Sequence, residues 1–345
     1  MGFSPEELMQ CLGRLPQARR YVVAFSGGLD SGVLVHALRD PRIRLGLPLL
    51  AVHVDHGLSP DSADWAAHCA SFCAARNIAL ERVRLELRCD DGASVEACAR
   101  EARYAALAER MLPGDVVLTA HHRDDQVETI LGHLLRGCGL PGVGGMPFRR
   151  ALERAPGVDL WRPCLDFSRE GLQAVRHGAR LPHREDATNA SLVPRRNQLR
   201  HRVLPALRES LDPELDARLL RWARGARAGL ARLGGTVEAL LDTVPVSPPH
   251  AIVPAAVART AAEHAALAAE LLRRLWRRTG PHGTRAELSR VHHRGWLELL
   301  RGHGRGALLT FPGGVTVERA GGTIVWIGCG DAPGSIPAPL ELGPG

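Results

Sequence analysis

The segment Ser26-Gly27-Gly28-Leu29-Asp30-Ser31 gathers two hydroxyls, two glycines and a carboxylate in one short run. Glycines let backbone N–H groups approach an anion closely and take positive φ where a turn needs it. A helix starting near Ser31 would aim its free N–H groups and the positive end of its dipole at the same spot. That chemistry suits phosphates. Asp30 is the odd member, because a carboxylate repels them; it fits if it holds a divalent cation that the phosphates share. The plain alternative is an ordinary capped turn, and Gly-Gly alone would favour it. The full pattern after an apolar run favours the anion site.

A second run, Thr119-Ala120-His121-His122-Arg123-Asp124-Asp125-Gln126-Val127-Glu128-Thr129, supplies two imidazoles, several carboxylates and an amide. Asp125 is the expected partner of Asp30 on a shared Mg²⁺. The plain alternative is a polar helix start capped by Asp124, with Glu128 on its exposed side. Capping leaves His121, His122 and Gln126 together unexplained. A third feature is the stretch from Ser168 to Arg208, with nine Arg against three acids. Arg196 and Arg200 stand at i, i+4 and share one helical face. Planar guanidinium forks suit phosphates, although an Arg-rich solvated surface gives the same composition.

These runs need elements to hold them. Tyr21–Phe25 reads as a buried parallel strand, and Ser31–Arg39 as the helix after it. Further strands are expected at Leu49–Val54, Ile78–Leu87 and Val116–Thr119. The helices between and after them are expected at Asp61–Asn77, Ser94–Met111 and Asp124–Arg136. The order predicts an α/β fold with a parallel sheet covered by helices on both faces. Gly137–Met146 reads as a glycine-rich mobile loop, and a short strand is expected near Leu160-Trp161. Leu207 to about Leu241 reads as a helix joining two domains, and Val244–Pro254 as a proline-rich linker. Helices are expected at Ala261–Arg278 and Thr284–Arg301, with a β-hairpin over Leu308–Ile327. The expected domains are 1–206 and 207–345.

The chain has 345 residues and a formal net charge of +7. All 44 basic residues are Arg, so a phosphate-loop lysine, a lysine Schiff base and a lysine nucleophile are excluded. Residues 1–150 hold 17 Arg against 18 acids, whereas 151–230 hold 15 against 10. The excess lies outside the first sheet, as a surface meeting a polyanion would require. Eight cysteines include no C-x-x-C pair and read as small buried side chains. No apolar run has the roughly 20 residues that span a bilayer. The N-terminus lacks the pattern of a secretory signal. The expectation is a cytoplasmic protein with no membrane partner.

Ser26–Ser31 resembles the PP-loop of the N-type ATP pyrophosphatases, which split ATP between the α and β phosphates. The Thr119–Thr129 run decides among them. With Leu134-Leu135-Arg136-Gly137-Cys138-Gly139-Leu140, Gly144-Gly145-Met146 and His53-Val54-Asp55-His56-Gly57-Leu58, it resembles the tRNA(Ile)-lysidine synthetases. Glu96–Tyr104, Glu185–Asn189 and Arg195–His201 are similar to the same family. The likeness is strong over about residues 20–206 and looser beyond. It implies a Rossmann-like PP-loop ATPase domain followed by a mainly helical domain ending in a hairpin. It implies ATP and Mg²⁺ as cofactors, with free L-lysine and a tRNA(Ile) of anticodon CAU as partners. The expected reaction is adenylation of C2 of cytidine 34, then displacement of AMP by lysine. On the matching positions it implies nucleotide contacts by Ser26, Gly27, Gly28, Leu29, Asp30, Ser31, His53 and Arg196. Catalytic roles fall to Asp30, Asp125, His122 and Arg103, with Asp30 and Asp125 on the metal.

The chain reads as a short form, ending soon after Cys329, and Ser59 stands where the family often has a basic residue. Oligomeric state is left open, a homodimer being one arrangement. The nearest rival is a PP-loop tRNA thiolase, which needs a sulfur-carrying cysteine or paired cysteines on a cluster. A non-catalytic ATP-binding module would not need the His121–Gln126 run. A plain RNA-binding protein would turn over no ATP.

Overall fold

The computed structural model describes residues 2–14, 16–55, 57, 61–85, 95–184, 195–247, 250–279, 288–302, 308–320 and 322–327. Two compact units divide the chain, Met1–Ala226 and Arg227–Gly345.

In the first unit, helix α1 (Pro5–Gly13) leads into β1 (Arg20–Ala24), α2 (Leu29–Leu38) and β2 (Leu49–Asp55). Then come α3 (Ser62–Ala74), β3 (Ala79–Arg84), α4 (Val95–Ala108), β4 (Asp115–Leu118) and α5 (Arg123–Leu135). A four-residue helix α6 (Leu140–Val143), strands β5 (Arg149–Ala151) and β6 (Asp159–Trp161), and helix α7 (Arg169–Gly178) follow. The sheet order is β3-β2-β1-β4-β6-β5, parallel except for β5. The central strands are apolar on both sides because both faces are covered: Val22, Val23, Val117 and Leu118 are fully buried. β1 and β4 are neighbours, with Val23 opposite Leu118. Their C-terminal ends therefore deliver the Ser26–Ser31 loop and the Thr119–Asp125 run to the same sheet edge, where α/β sites form. Asp115 at the other end of β4 is clamped by Arg19 (2.9 Å) and Arg20 (2.8 Å).

The expected single helix over 207–241 is two. Helix α8 (Arg195–Gln198) passes through a π-helical stretch, Leu199–Val203, into α9 (Leu204–Ser210). The break lies at Leu211–Glu214, where Pro213 cannot continue a helix. α10 (Leu215–Leu241) then continues without a break in helical structure through Gly234-Gly235. Leu204, Leu219 and Ala223 pack on Val127 and Ile130 of α5, so the first unit continues well past residue 206.

The second unit contains the end of α10, then β7 (Val246–Ser247), β8 (His250–Val253), α11 (Ala255–Glu263), α12 (Ala265–Thr279) and α13 (Arg290–Arg301). β9 (Leu308–Thr310), β10 (Thr316–Ala320) and β11 (Thr323–Ile327) complete it. The expected hairpin is part of a five-stranded antiparallel sheet, β7-β8-β11-β10-β9. The stretch read as a proline-rich linker supplies two of those strands; its prolines flank β8 rather than interrupt it. Trp296 and Trp326 are fully buried at the centre of this unit, and the Trp296 indole N–H donates to the Ala268 carbonyl at 2.8 Å.

Candidate active site

β1 ends at Ala24, and the chain turns through Gly27 at φ +80° before α2 begins. A β-carbon at Gly27 would lie 2.6 Å from Trp65 Nε1 and 2.7 Å from Cys69 Sγ, so the close approach of α3 demands glycine there. The loop is braced from within. Ser31 Oγ lies 2.9 Å from Ser26 Oγ and 3.2 Å from the Ser26 N–H, which donates to it. The loop carbonyls are drawn outward: Trp65 Nε1–H donates to Ser26 O at 2.5 Å, and the Arg184 N–H donates to Gly27 O at 3.3 Å. Gly28 is the N-cap of α2 and no side chain caps that helix end. The first-turn N–H groups of Leu29, Asp30 and Ser31 are thus left toward the sheet edge, as an anion cradle requires.

Asp30 sits in that first turn. Burial raises its carboxyl above the ordinary range, and the Asp125 charge adds to this against the pull of His122. Its Oδ1 is buried with no hydrogen-bond partner. Its Oδ2 lies 3.7 Å from His122 Nε2.

His122 takes the N-cap of α5, which the sequence reading gave to Asp124. A capping box forms: the Asp125 N–H approaches His122 Nδ1 at 3.4 Å, and the His122 N–H donates to Asp125 Oδ2 at 2.9 Å. Asp124 instead accepts from the Arg169 N–H at 3.0 Å, tying α5 to α7. Burial alone would push the His122 imidazole down. Asp124, Asp125 and Asp30 outweigh it and hold the ring above its ordinary value. The same ring, with the Arg169 N–H, holds Asp124 well below the usual carboxylate range despite burial. Asp125 is also lowered, its burial cost being overcome by His122 and Arg196. His121 goes the other way. Burial and neighbouring guanidiniums push it down to about 3, so it is neutral, with Nδ1 2.9 Å from Thr119 Oγ1.

Glu128 is not on an exposed face. It is 3% exposed, one turn along α5 from Asp125. Arg196 Nε donates to Glu128 at 2.7 Å and its Nη2 to Asp125 Oδ1 at 2.5 Å. Arg200 Nε donates to Glu128 at 2.5 Å and its Nη2 to Asp125 Oδ1 at 3.2 Å. Two guanidiniums and two carboxylates thus form one part-buried network beside the loop. The i, i+3 spacing of Asp125 and Glu128 was the available signal for Glu128. Nothing local marked Trp65. Gln126 is a scaffold group: its amide donates to Met146 O at 2.8 Å and accepts from Met146 N–H at 2.7 Å, pinning the glycine-rich segment.

His53 is buried at the end of β2. Its Nδ1–H donates to the Phe25 carbonyl at 3.0 Å, and burial lowers its basicity. Arg103 is exposed on α4 and shares the field of Arg100 and Tyr104. Glu185–Asn189 lies outside the described residues.

Among the described residues no group of three His, Cys, Asp or Glu could cage a metal. A nucleotide-bound Mg²⁺ needs no cage, since phosphates and water fill most of its six positions. The bare Oδ1 of Asp30 fits such an ion. Asp125 is already engaged by two guanidiniums and an N–H, and would have to exchange one of them to reach a cation.

No helix among the described residues is long and apolar enough to cross a membrane. Four of the described thiols are held in the unreactive protonated form by burial. Burial raises Cys69 to about 12, and Cys11 and Cys73 to about 11, and it raises the fully buried Cys164 further.

A tRNA(Ile)-lysidine synthase of Alkalilimnicola ehrlichii is 46% identical over 204 residues, 59% of this chain and 45% of that protein. Those of Pseudomonas syringae and Coxiella burnetii are 45% and 37% identical, over 64% and 70% of this chain and 48% and 53% of theirs. The chain spans about half the length of these relatives. A U34-tRNA thiolase of Methanococcus maripaludis, solved with its [4Fe-4S] cluster, shares the fold at a TM-score of 0.52 and 16% identity. The match covers 65% of this chain and 78% of that one. The model of the PP-loop domain family matches residues 4–207, which include the braced Ser26–Ser31 cradle and the carboxylates facing it, and the chain belongs to that family.

Proposed function

We propose that this protein uses ATP to join free L-lysine to C2 of the wobble cytidine 34 of a tRNA(Ile) with anticodon CAU. The products are lysidine, AMP and pyrophosphate. The observation that carries the reading is the pairing of the uncapped PP-loop with the Asp30–His122–Asp125 cluster, in a chain 46% identical over 204 residues to a tRNA(Ile)-lysidine synthase.

The loop N–H groups of residues 29–31 bind and orient the phosphates and stabilise charge as pyrophosphate leaves. Asp30 and, after exchanging a guanidinium, Asp125 would hold Mg²⁺, which supplies Lewis-acid neutralisation of the phosphate oxygens when bound. The C2 oxygen of cytidine attacks the α phosphorus, so a poor leaving group becomes AMP. The lysine amine must then lose a proton and displace AMP from C2. The cluster of His122 with Asp30, Asp124 and Asp125 offers the groups that could take that proton, a carboxylate such as Asp30 or the imidazole in its neutral form. Arg196 carries the nucleotide contact, and Arg103, exposed on α4, meets the RNA side of the site. Residues 1–206 are assigned the adenylation chemistry, and 207–345 the tRNA contacts. The protein works in the cytoplasm, as a monomer or a homodimer.

The test is incorporation of labelled lysine into a CAU-anticodon tRNA(Ile) transcript with ATP and Mg²⁺, and with tRNA(Met) as the control. No incorporation by folded protein overturns the reading, and thiolated tRNA from a sulfur donor would replace it with the thiolase.

A further inference from the structure

Beside the active site, Tyr104 of α4 is surrounded by cations. The Arg100 guanidinium lies 5.4 Å from its ring centroid and that of Arg150 lies 5.1 Å away. Arg162, just after β6, hydrogen-bonds toward the Tyr104 hydroxyl. Arg162 is 2% exposed, one of the largest fully buried side chains of the protein. Its Nη1 donates to the Pro147 carbonyl at 2.7 Å, but its Nε is buried without a partner. Among the described residues no carboxylate pairs with Arg162 or Arg100. Among the described residues the one acid in the group is Glu153, which meets Arg150 at 3.2 Å and is itself largely exposed. The adjacent His121 is neutral, so it neither repels nor neutralises an incoming charge.

A buried guanidinium without a counter-charge is destabilising and is tolerated where something else supplies the charge. Neutral acceptors on Pro147 and Tyr104 do not supply it. Three guanidiniums less one carboxylate leave about two positive charges around one ring. A single carboxylate would leave the group under-neutralised. A phosphoryl group matches both the charge and the fork geometry of arginine. We propose that Arg100, Arg150 and Arg162 around Tyr104 form a second anion subsite, separate from the PP-loop, that takes a phosphoryl group. The inference deepens the proposed function and rests on it for the source of the phosphate, which is an RNA backbone phosphate or released pyrophosphate.

The test uses the full chain and two probes without turnover, on wild type and on Arg100→Gln/Arg150→Gln. Both substituted residues reach the surface, and an unchanged thermal midpoint checks the fold. If the source is RNA, binding of the tRNA transcript weakens at least about tenfold and the salt dependence of log Kd flattens by about 2. If the source is pyrophosphate, calorimetric titration with inorganic pyrophosphate falls from two sites per chain to one. The Arg162→Lys variant, which keeps charge but loses the fork, shows a smaller loss in the same titration that the double variant weakens. If the double variant leaves both titrations unchanged, the subsite does not exist. Binding intact without lysine incorporation would instead overturn the proposed reaction and leave the subsite standing.

Discussion

His122 Nε2 stands 3.7 Å from Asp30 Oδ2 and 3.4 Å from Asp125 Oδ2, so one imidazole bridges the PP-loop helix and the helix after β4. Asp124 lies 3.6 Å from its Nδ1. The ring is the electrostatic tie between the two chain segments that the parallel β1–β4 pairing brings together. Its raised basicity makes the tie depend on pH. Stability from a raised imidazole is fully present below the unfolded value near 6.5 and is lost as pH rises through the folded value. His122→Asn should therefore lower the thermal midpoint most at pH 6. The gap to wild type should narrow steadily toward pH 8.5; a gap constant with pH would show that the ring is uncharged throughout.

Asp30→Asn keeps the size of the side chain and removes the charge. Because the Oδ1 position has no internal partner, the fold should survive with an unchanged circular dichroism spectrum. Pyrophosphate release should fall by at least about 100-fold, the scale of losing one electrostatic stabiliser of a transition state. Turnover equal to wild type would remove Asp30 from the chemistry.

Gly27→Ala places a methyl group against Trp65 and Cys69 at a φ of +80°. The left-handed backbone alone costs about 1–2 kcal/mol. The loop must shift, and the Trp65–Ser26 hydrogen bond with it. ATP affinity, read by equilibrium titration, should drop at least about tenfold. Equal affinity would show that the loop is not held by α3.

Arg200→Met removes one of the two guanidiniums that hold Glu128, whose side chain is 2% exposed. Removing one partner of a buried pair costs about 3 kcal/mol, and Arg196 recovers part of it. Chemical denaturation should show a loss of about 2 kcal/mol, and adding Glu128→Gln should restore most of it. A double variant as unstable as the single one would mean that the pair is not the cause.

Cys69, Cys73 and Cys164 should resist alkylation at pH 7.5 in the folded protein and react only after denaturation, because burial disfavours the thiolate. Rapid labelling of any of them, followed by mass spectrometry, would reopen sulfur chemistry.

The sequence by itself determined what lies within a turn or a strand. An apolar run followed by Ser-Gly-Gly-x-Asp-Ser dictates a buried strand, a tight turn and a helix start. The alternation of such units dictates a parallel sheet. Those signals are local, because each residue's backbone preference and burial pattern is set by its near neighbours. The tertiary structure decided what depends on register between distant segments. Arg196 and Arg200 meet Asp125 and Glu128 only because α8 and the π-helical stretch pack along α5. His122 displaces Asp124 from the cap because Asp124 finds a donor on α7. Trp65 reaches Ser26 across the parallel β1–β2 pair. His250–Val253 is strand because β11 offers it an edge, and Val246–Ser247 pairs in turn with β8, partners that the proline-rich composition does not announce. Hydrogen-bonding partners and opposite charges far apart in the chain decide such placements, and no window along the sequence contains both members.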